Sequence, residues 1–188
     1  MAKTESTMRE LGTPAPDFDL PDTVSGERRT FNRIAGTKAT VIMFICNHCP
    51  FVQHILDGLT AFGHDYDGEA VGIAAISAND ITTHPQDAPE EMRKFAENKG
   101  FAFPYLYDEN QDTARAFDAA CTPDFFVFDA DRRLAYRGRF DAATPGNDEP
   151  VTGGELRAAV DALVQGRPVD QTQHPSVGCN IKWKASAT

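Results

Sequence analysis

The chain has 188 residues, of which 41% are hydrophobic and 24% charged, a composition typical of a globular protein that buries a full core. Its formal net charge of -10 argues against a nucleic-acid partner, because phosphate contacts need clustered Lys and Arg. The one arginine cluster, from Arg132 to Arg139, alternates with apolar residues and indicates the solvated face of a strand. There is no Gly-rich phosphate loop, so we expect no nucleotide and no other cofactor.

The first predicted elements lead into a central strand and a helix. Residues 12–20 form a Pro-rich extended arm, and a short strand is expected near Thr30 and Phe31. Residues 39–45 are apolar and often β-branched, which predicts a short strand covered on both faces. A helix is predicted over residues 51–66, where apolar side chains recur at helical spacing and Pro50 suits the first turn.

The remaining elements alternate along the chain. They are a strand at 71–77, a helix at 90–98 closed by Gly100, an extended segment at 103–107, a short helix at 111–118, a hairpin of strands 125–129 and 134–140, and a helix at 155–165. This order predicts an α/β protein with three layers, α/β/α, around a central mixed β-sheet. We expect a single domain over residues 1–188, with an extended N-terminal arm of about residues 1–38. A C-terminal tail without clear periodicity occupies about residues 167–188.

Cysteine usage points to chemistry rather than to structural disulfides. Residues 1–10 are polar and no apolar signal-peptide segment follows, while no stretch approaches the ~18 apolar residues of a membrane helix. We therefore expect a cytoplasmic protein without a membrane partner, in a compartment where structural disulfides are rare. Two of the four cysteines have the spacing Cys-x-x-Cys, which indicates redox chemistry or metal binding.

Cys46 and Cys49 are the candidate redox pair. Cys46 falls where the central strand gives way to a helix, and the unpaired N–H groups of a helix start lower a thiol pKa from about 8.5. We expect Cys46 to be the exposed nucleophile, and Cys49, one helical turn later, to be the buried thiol that resolves the mixed disulfide. Asn47 and His48 lie between them and tune the potential. Positive charge on His48 favours the thiolate and predicts a more oxidising couple than one with Gly-Pro between the cysteines.

A metal-binding or metal-delivery protein is an alternative of another class. A Cys-x-x-Cys pair also occurs in zinc sites, which need two further ligands. Cys121 with Cys179, or His54 with His174, are able to supply them. The chain has no second Cys-x-x-Cys, and we favour a redox pair without a metal.

Four further residues are candidates for the same site. The Thr122–Pro123 bond precedes a strand and is a candidate cis peptide, which would leave the Thr122 backbone free to align a substrate strand. The alternative is an ordinary trans proline that opens a strand. Cys121 either traps a sulfur of the dithiol or is a small apolar residue. Cys179 is either a resolving thiol brought back over the site or an exposed bystander.

A resemblance to a known family is carried by five segments: GTPAPDF, VIMFICNHCPFVQHI, SANDITTHPQDAPEEM, CTPDFFVFD and HPSVGCNIKWK. They resemble the peroxiredoxin-like branch of the thioredoxin superfamily, the redoxins similar to alkyl hydroperoxide reductase and thiol-specific antioxidant, over about residues 11–184. The resemblance implies a thioredoxin fold with an N-terminal extension, a dithiol at Cys46 and Cys49, and a cis proline at Pro123.

The chain departs from the peroxiredoxin pattern at two places. Peroxiredoxins carry a Thr three residues before the reactive cysteine, whereas here Met43 precedes Cys46, and Cys46 itself precedes Cys49. They also place an Arg near that cysteine, where this chain has Thr122 and Pro123. In peroxiredoxins those two groups polarise the peroxide. Because this chain lacks them at the matching positions, we expect a thiol–disulfide oxidoreductase, with a thiol-dependent peroxidase as the alternative. The expected partners are a protein or small-molecule disulfide or thiol, or a peroxide, and a thioredoxin-like electron donor.

Overall fold

The structure is a computed structural model that describes residues 3–185. Residues 1–2 and 186–188, the ends of the predicted arm and tail, lie outside the described residues. The strands are β1 (Lys3–Glu5), β2 (Asp19–Pro21), β3 (Arg28–Thr30), β4 (Ala39–Phe44), β5 (Val71–Ser77), β6 (Tyr105–Tyr107), β7 (Cys121–Thr122), β8 (Asp124–Asp129), β9 (Leu134–Gly138) and β10 (Val177–Asn180). The helices are α1 (Phe31–Ile34), α2 (Pro50–Asp65), α3 (Pro89–Lys99), α4 (Asp112–Ala116) and α5 (Gly154–Val164), with a 3-10 turn at Pro85–Asp87.

The main sheet is mixed and has five strands in the order β6-β5-β4-β8-β9. β4 and β5 pair in parallel, as do β5 and β6, and each parallel pair is joined through a helical crossover. β8 lies antiparallel to β4, and β9 antiparallel to β8. The predicted mixed sheet and the predicted hairpin are therefore confirmed.

The central strand β4 is buried along its whole length. Side chains of a strand point alternately to opposite faces, so Val41 and Met43 pack on one side of the sheet, and Ile42 and Phe44 on the other. Apolar side chains of α2, α3 and α5 join the first group, while those of α1 and α4 join the second. The sheet is thus covered on both faces, which confirms the α/β/α layering.

Local capping changes one predicted boundary and fixes another as predicted. The strand expected near Thr30 and Phe31 ends at Thr30, whose side-chain oxygen accepts a hydrogen bond from the N–H of Arg33 and caps α1. Helix α3 ends at Lys99 and is closed by Gly100 as predicted, because Gly100 adopts the left-handed conformation without steric cost. None of the helices among residues 3–185 combines the length and apolar character needed to cross a membrane.

The tail contains a strand where the sequence predicted none. Strand β10 pairs antiparallel with β7 on one side and with β1 on the other, forming a second sheet of order β1-β10-β7. In this register Cys179 lies opposite Thr122 and also opposite Lys3. The second sheet therefore places β10 beside β7, the short strand that precedes β8.

Candidate active site

The two cysteines of the Cys-x-x-Cys segment lie in the connection between β4 and α2. Strand β4 ends at Phe44 and α2 begins at Pro50, so Cys49 is the N-cap of the helix. The expectation that Cys46 occupies the helix start is wrong, because residues 45–49 are not helical. The positive end of the helix therefore acts on Cys49 rather than on Cys46. Pro50 could have shown this, since a proline at the first helical position makes the preceding residue the cap.

Both thiols are buried. Cys46 is 1% exposed and Cys49 is 0% exposed, so the expectation of an exposed Cys46 is also wrong. The hydrogen bond between the two thiols raises the pKa of Cys46 well above its usual value and lowers the pKa of Cys49 to about 4. Burial and the negative charge of Asp87 raise the pKa of Cys46 further. These opposite directions favour ionisation of Cys49 before Cys46 in the reduced pair.

Cys49 has hydrogen-bond partners in both of its protonation states. As a thiol it donates to the carbonyl oxygen of Thr122 at 3.1 Å. Hydrogen bonding to Cys46, to Cys179 and to the backbone N–H of Val52 favours its thiolate and lowers the pKa of Cys49 against the effect of burial. A sulfur that is satisfied with and without its proton is suited to exchange that proton with a neighbour.

Thr122 contacts both sulfurs of the pair. Its hydroxyl oxygen lies 3.4 Å from Cys46 Sγ, and its carbonyl oxygen faces Cys49. The Thr122–Pro123 peptide bond is cis, as the sequence predicted. The short strand before Pro123 thus reaches the dithiol with both its side chain and its backbone.

A buried carboxylate that the sequence analysis missed holds the segment between the cysteines. Oδ1 of Asp87 accepts from the backbone N–H of Asn47 at 2.8 Å. Its Oδ2 lies 2.6 Å from Nδ1 of His48 and accepts from the side-chain amide of Asn79 at 2.8 Å. The sequence offered little signal for this contact, because 39 residues separate His48 from Asp87.

The two residues between the cysteines have different surroundings. The amide of Asn47 donates to the carbonyl of Gln86 at 2.9 Å and accepts from the hydroxyl of Tyr105 at 3.1 Å. The ring of His48 stacks on that of His84, with ring centroids 5.0 Å apart. Burial and the neighbouring His48 lower the pKa of His84. Asn47 therefore fixes the loop, while His48 joins an acid–imidazole pair at its edge.

One group among residues 3–185 has spacing that suits a metal ion. Ligand atoms of Cys46, His48 and Asp87 lie within 4.8 Å of one another. The histidines considered from the sequence are not part of it: His54 is exposed on α2, and Nδ1 of His174 lies 3.2 Å from a carboxylate oxygen of a glutamate in α5. The structure thus offers three ligands for a metal, in a different set from the one expected.

Cys121 and Cys179 differ in their relation to the dithiol. Cys121 is fully buried, and its sulfur faces the carbonyl oxygens of Pro123 at 3.6 Å and Ser176 at 4.0 Å. Burial raises its pKa, as expected for a thiol packed as a small apolar residue. Cys179 is 3% exposed, and its sulfur lies 3.0 Å from that of Cys49. Cys179 is therefore not an exposed bystander.

Two solved structures are similar to the chain over almost its whole length. An uncharacterised conserved protein from Geobacillus kaustophilus is 51% identical with a TM-score of 0.98, over 100% of this chain and 99% of that chain. A hypothetical protein from Sinorhizobium meliloti 1021 is 46% identical with a TM-score of 0.94, over 97% of this chain and 100% of that chain.

The fold and the family follow from two further comparisons. A thiol:disulfide interchange protein of the thioredoxin family from Chlorobium tepidum TLS is 15% identical with a TM-score of 0.63, over 83% of this chain and 99% of that chain. At this identity the likeness shows the fold alone, which is thioredoxin-like. Comparison with curated proteins gives no match. The AhpC/TSA family model matches residues 11–137, and the chain therefore belongs to the AhpC/TSA family.

Proposed function

We propose that the protein is a thiol–disulfide oxidoreductase in which Cys46 and Cys49 form the redox-active pair. The observation that carries the proposal is that Thr122, next to the cis peptide, contacts both sulfurs before α2: its hydroxyl oxygen lies 3.4 Å from Cys46 Sγ and its carbonyl oxygen 3.1 Å from Cys49 Sγ. The lowered pKa of Cys49 supplies one negative charge to the pair. Thiolate is the species that attacks a disulfide, so a pair that ionises readily is the first requirement of exchange. Membership of a family of thiol oxidoreductases and peroxidases agrees with this chemistry.

The shared proton lets Cys46 act as nucleophile although its own pKa is raised. As Cys46 Sγ attacks a substrate disulfide, its proton passes to the Cys49 thiolate, and one substrate sulfur leaves as a thiolate that takes a proton from water. Cys49 then attacks Cys46 Sγ, and its proton passes to the second substrate sulfur. The mixed disulfide breaks, the second substrate thiol leaves, and a Cys46–Cys49 disulfide remains. A thioredoxin-like dithiol donor returns the pair to the reduced state.

Reduction of disulfides tests the proposal directly. Insulin and a small aromatic disulfide are offered to the protein with dithiothreitol as donor, and we expect turnover of at least one of them above the uncatalysed background. Cys46→Ser and Cys49→Ser should both abolish the gain, because one lacks the attacking sulfur and the other lacks the resolving sulfur. His54→Ala, a change at an exposed position of the same helix, is the matched control and should retain it.

A thiol-dependent peroxidase is the second candidate, and family membership favours it. In that case Cys46 attacks the peroxide, whose O–O bond breaks so that one oxygen stays on the sulfur as a sulfenic acid and the other leaves as water or an alcohol. Cys49 then displaces water from the sulfenic acid to give the same disulfide. Consumption of hydrogen peroxide with a thiol donor separates the two candidates. Peroxide turnover without disulfide reduction would overturn the first proposal, and one equivalent of tightly bound metal without either activity would overturn both.

A further inference from the structure

The C-terminal strand occupies the free edge of the segment that contacts the dithiol. β10 pairs with β7 so that Cys179 lies opposite Thr122. The N–H of Ile181 donates to the carbonyl of Ala120 at 3.1 Å, and the hydroxyl of Ser176 donates to the carbonyl of Pro123. Hydrogen bonds just beyond both ends of β10 therefore fix the position of Cys179 relative to Thr122.

Gly178 is needed for this close approach. A Cβ atom added at this position would lie 1.9 Å from the carbonyl oxygen and 2.6 Å from the carbonyl carbon of Thr122. Since these are backbone atoms that have no freedom to rotate away, any side chain at residue 178 would push the strand off Thr122. Position 178, next to Cys179, therefore accepts only glycine if β10 is to keep its place against Thr122.

The segment after β10 is joined to the network around the dithiol. The N–H of Lys182 donates to Oδ1 of Asn79 at 2.9 Å, and the same Asn79 side chain donates to Asp87. Gln111 holds the segment from the other side, donating to the carbonyl of Lys182 and accepting from the N–H of Lys184, both at 2.9 Å. The tail is therefore docked as part of the site.

This docking brings the sulfur of Cys179 against the second cysteine of the Cys-x-x-Cys segment. The Cys49 sulfur lies 3.0 Å from that of Cys179. The fourth sulfur, of Cys121, has carbonyl oxygens as its partners instead. The arrangement distinguishes one tail cysteine as a partner of the dithiol.

We propose that Cys179 is a third redox-active residue, which exchanges with the Cys46–Cys49 disulfide to form a Cys49–Cys179 disulfide. This proposal rests on the proposed function, because it needs Cys46 and Cys49 to be oxidised together first. The Cys179 sulfur gives up its proton and attacks Cys49 Sγ. The bond between Cys46 and Cys49 breaks, and Cys46 leaves as a thiolate that takes up a proton. One disulfide replaces another, so no oxidant or reductant is consumed.

The exchange has two consequences for the site. It returns Cys46 to the thiol form while the protein keeps its two-electron oxidised state. It also ties β10 covalently to the start of α2, beside Thr122. Cys46 is then available to a further substrate, and the donor that reduces the protein must act on the Cys49–Cys179 bond.

Disulfide mapping of the whole protein tests the proposal. The protein is oxidised with diamide, free thiols are blocked, and the chain is digested with trypsin. Cleavage places Cys46 and Cys49 together in peptide 39–93 and Cys179 in peptide 158–182. We expect a disulfide-linked species of these two peptides from the wild-type chain, a result that does not depend on the folding of any variant.

Three variants assign the bond. Cys46→Ser should still give the linked species, because diamide then oxidises the adjacent thiols of Cys49 and Cys179 directly although the first disulfide cannot form. Cys49→Ser should lose it, while Cys121→Ser, which removes the other buried cysteine, should leave the pattern unchanged. A closed loop within peptide 39–93 without any linked species would overturn this inference and leave the proposed function standing. Absence of both products would overturn the two together.

Discussion

Nδ1 of His48 lies 2.6 Å from Oδ2 of Asp87, and the side chain of Asp87 is fully buried. The same carboxylate accepts the backbone N–H of Asn47, so one group holds two successive residues of the Cys-x-x-Cys segment. Its negative charge also contributes to the raised pKa of Cys46, behind the hydrogen bond to Cys49 and burial. Asp87 therefore both positions the loop and limits ionisation of the first cysteine.

Replacement of Asp87 separates these two effects. Asp87→Asn removes the negative charge, and we predict a lower pKa of Cys46 because a second anion no longer faces it. The variant should also lose about 1–3 kcal/mol of unfolding free energy, because the amide nitrogen of asparagine cannot accept a hydrogen bond and would leave a buried donor without its partner. Alkylation of Cys46 against pH and urea unfolding measure the two. Asp57→Asn, at an exposed position of α2, is the control, and a Cys46 pKa unchanged in Asp87→Asn would contradict the prediction.

The Thr122 hydroxyl opposes the rise of the Cys46 pKa that the hydrogen bond to Cys49 and burial produce. Thr122→Val removes this hydroxyl at nearly constant shape, while the carbonyl that contacts Cys49 remains. We predict a further rise in the pKa of Cys46 and slower disulfide reduction at neutral pH. Thr60→Val on α2 serves as the comparison. Equal rates for the two variants would show that the 3.4 Å contact has no chemical role.

The charge of the reduced pair is predicted to reside on Cys49 over a wide range of pH. Because the hydrogen bond from Cys46 lowers the pKa of Cys49 to about 4, its thiolate is present above that pH and is lost as the pH falls through it. Thiolate absorbance of the reduced protein should follow this transition. Cys49→Ser should remove the signal, and Cys46→Ala should move its midpoint upward, since the main hydrogen-bond donor is gone. A signal that survives Cys49→Ser would assign the charge to another sulfur.

Displacement of the tail strand should open the site. Gly178→Ala places a methyl group against the backbone of Thr122, and we predict faster alkylation of Cys49 and a loss of unfolding free energy of about 1–3 kcal/mol. Gly146→Ala is the matched control, because the nearest atom to an added Cβ there is a threonine hydroxyl at 4.0 Å. Alkylation at the wild-type rate in Gly178→Ala would mean that β10 does not limit access.

The elements that the sequence predicted well are those with a local cause. The apolar run of β4 and the helical spacing of α2 are each visible within a few residues, and their bounds differ from the expected ones by at most one residue at each end. The pair Cys46 and Cys49 and the cis bond before Pro123 are likewise tied to short motifs. Such features depend on neighbours in the chain, so the sequence displays them.

The features that were missed depend on residues far apart in the chain. β10 has no alternating pattern of its own and exists because β7 and β1 supply its hydrogen bonds. Asp87 resembles any other acidic residue until the fold brings it to His48. The reversed ionisation of Cys46 and Cys49 follows from hydrogen bonding between the two thiols and from burial, neither of which a short sequence motif displays.

The central claim is that Cys46 and Cys49 form a reversible disulfide whose reduced form is stabilised by a shared proton. Equilibration with glutathione buffers, in the Cys179→Ala variant to exclude exchange with the tail, measures the reduction potential of this pair. A stabilised thiolate favours the reduced form, so we predict a two-electron couple more oxidising than about -270 mV, the value of thioredoxin. A potential at or below that value, or no reversible disulfide within peptide 39–93, would contradict the account.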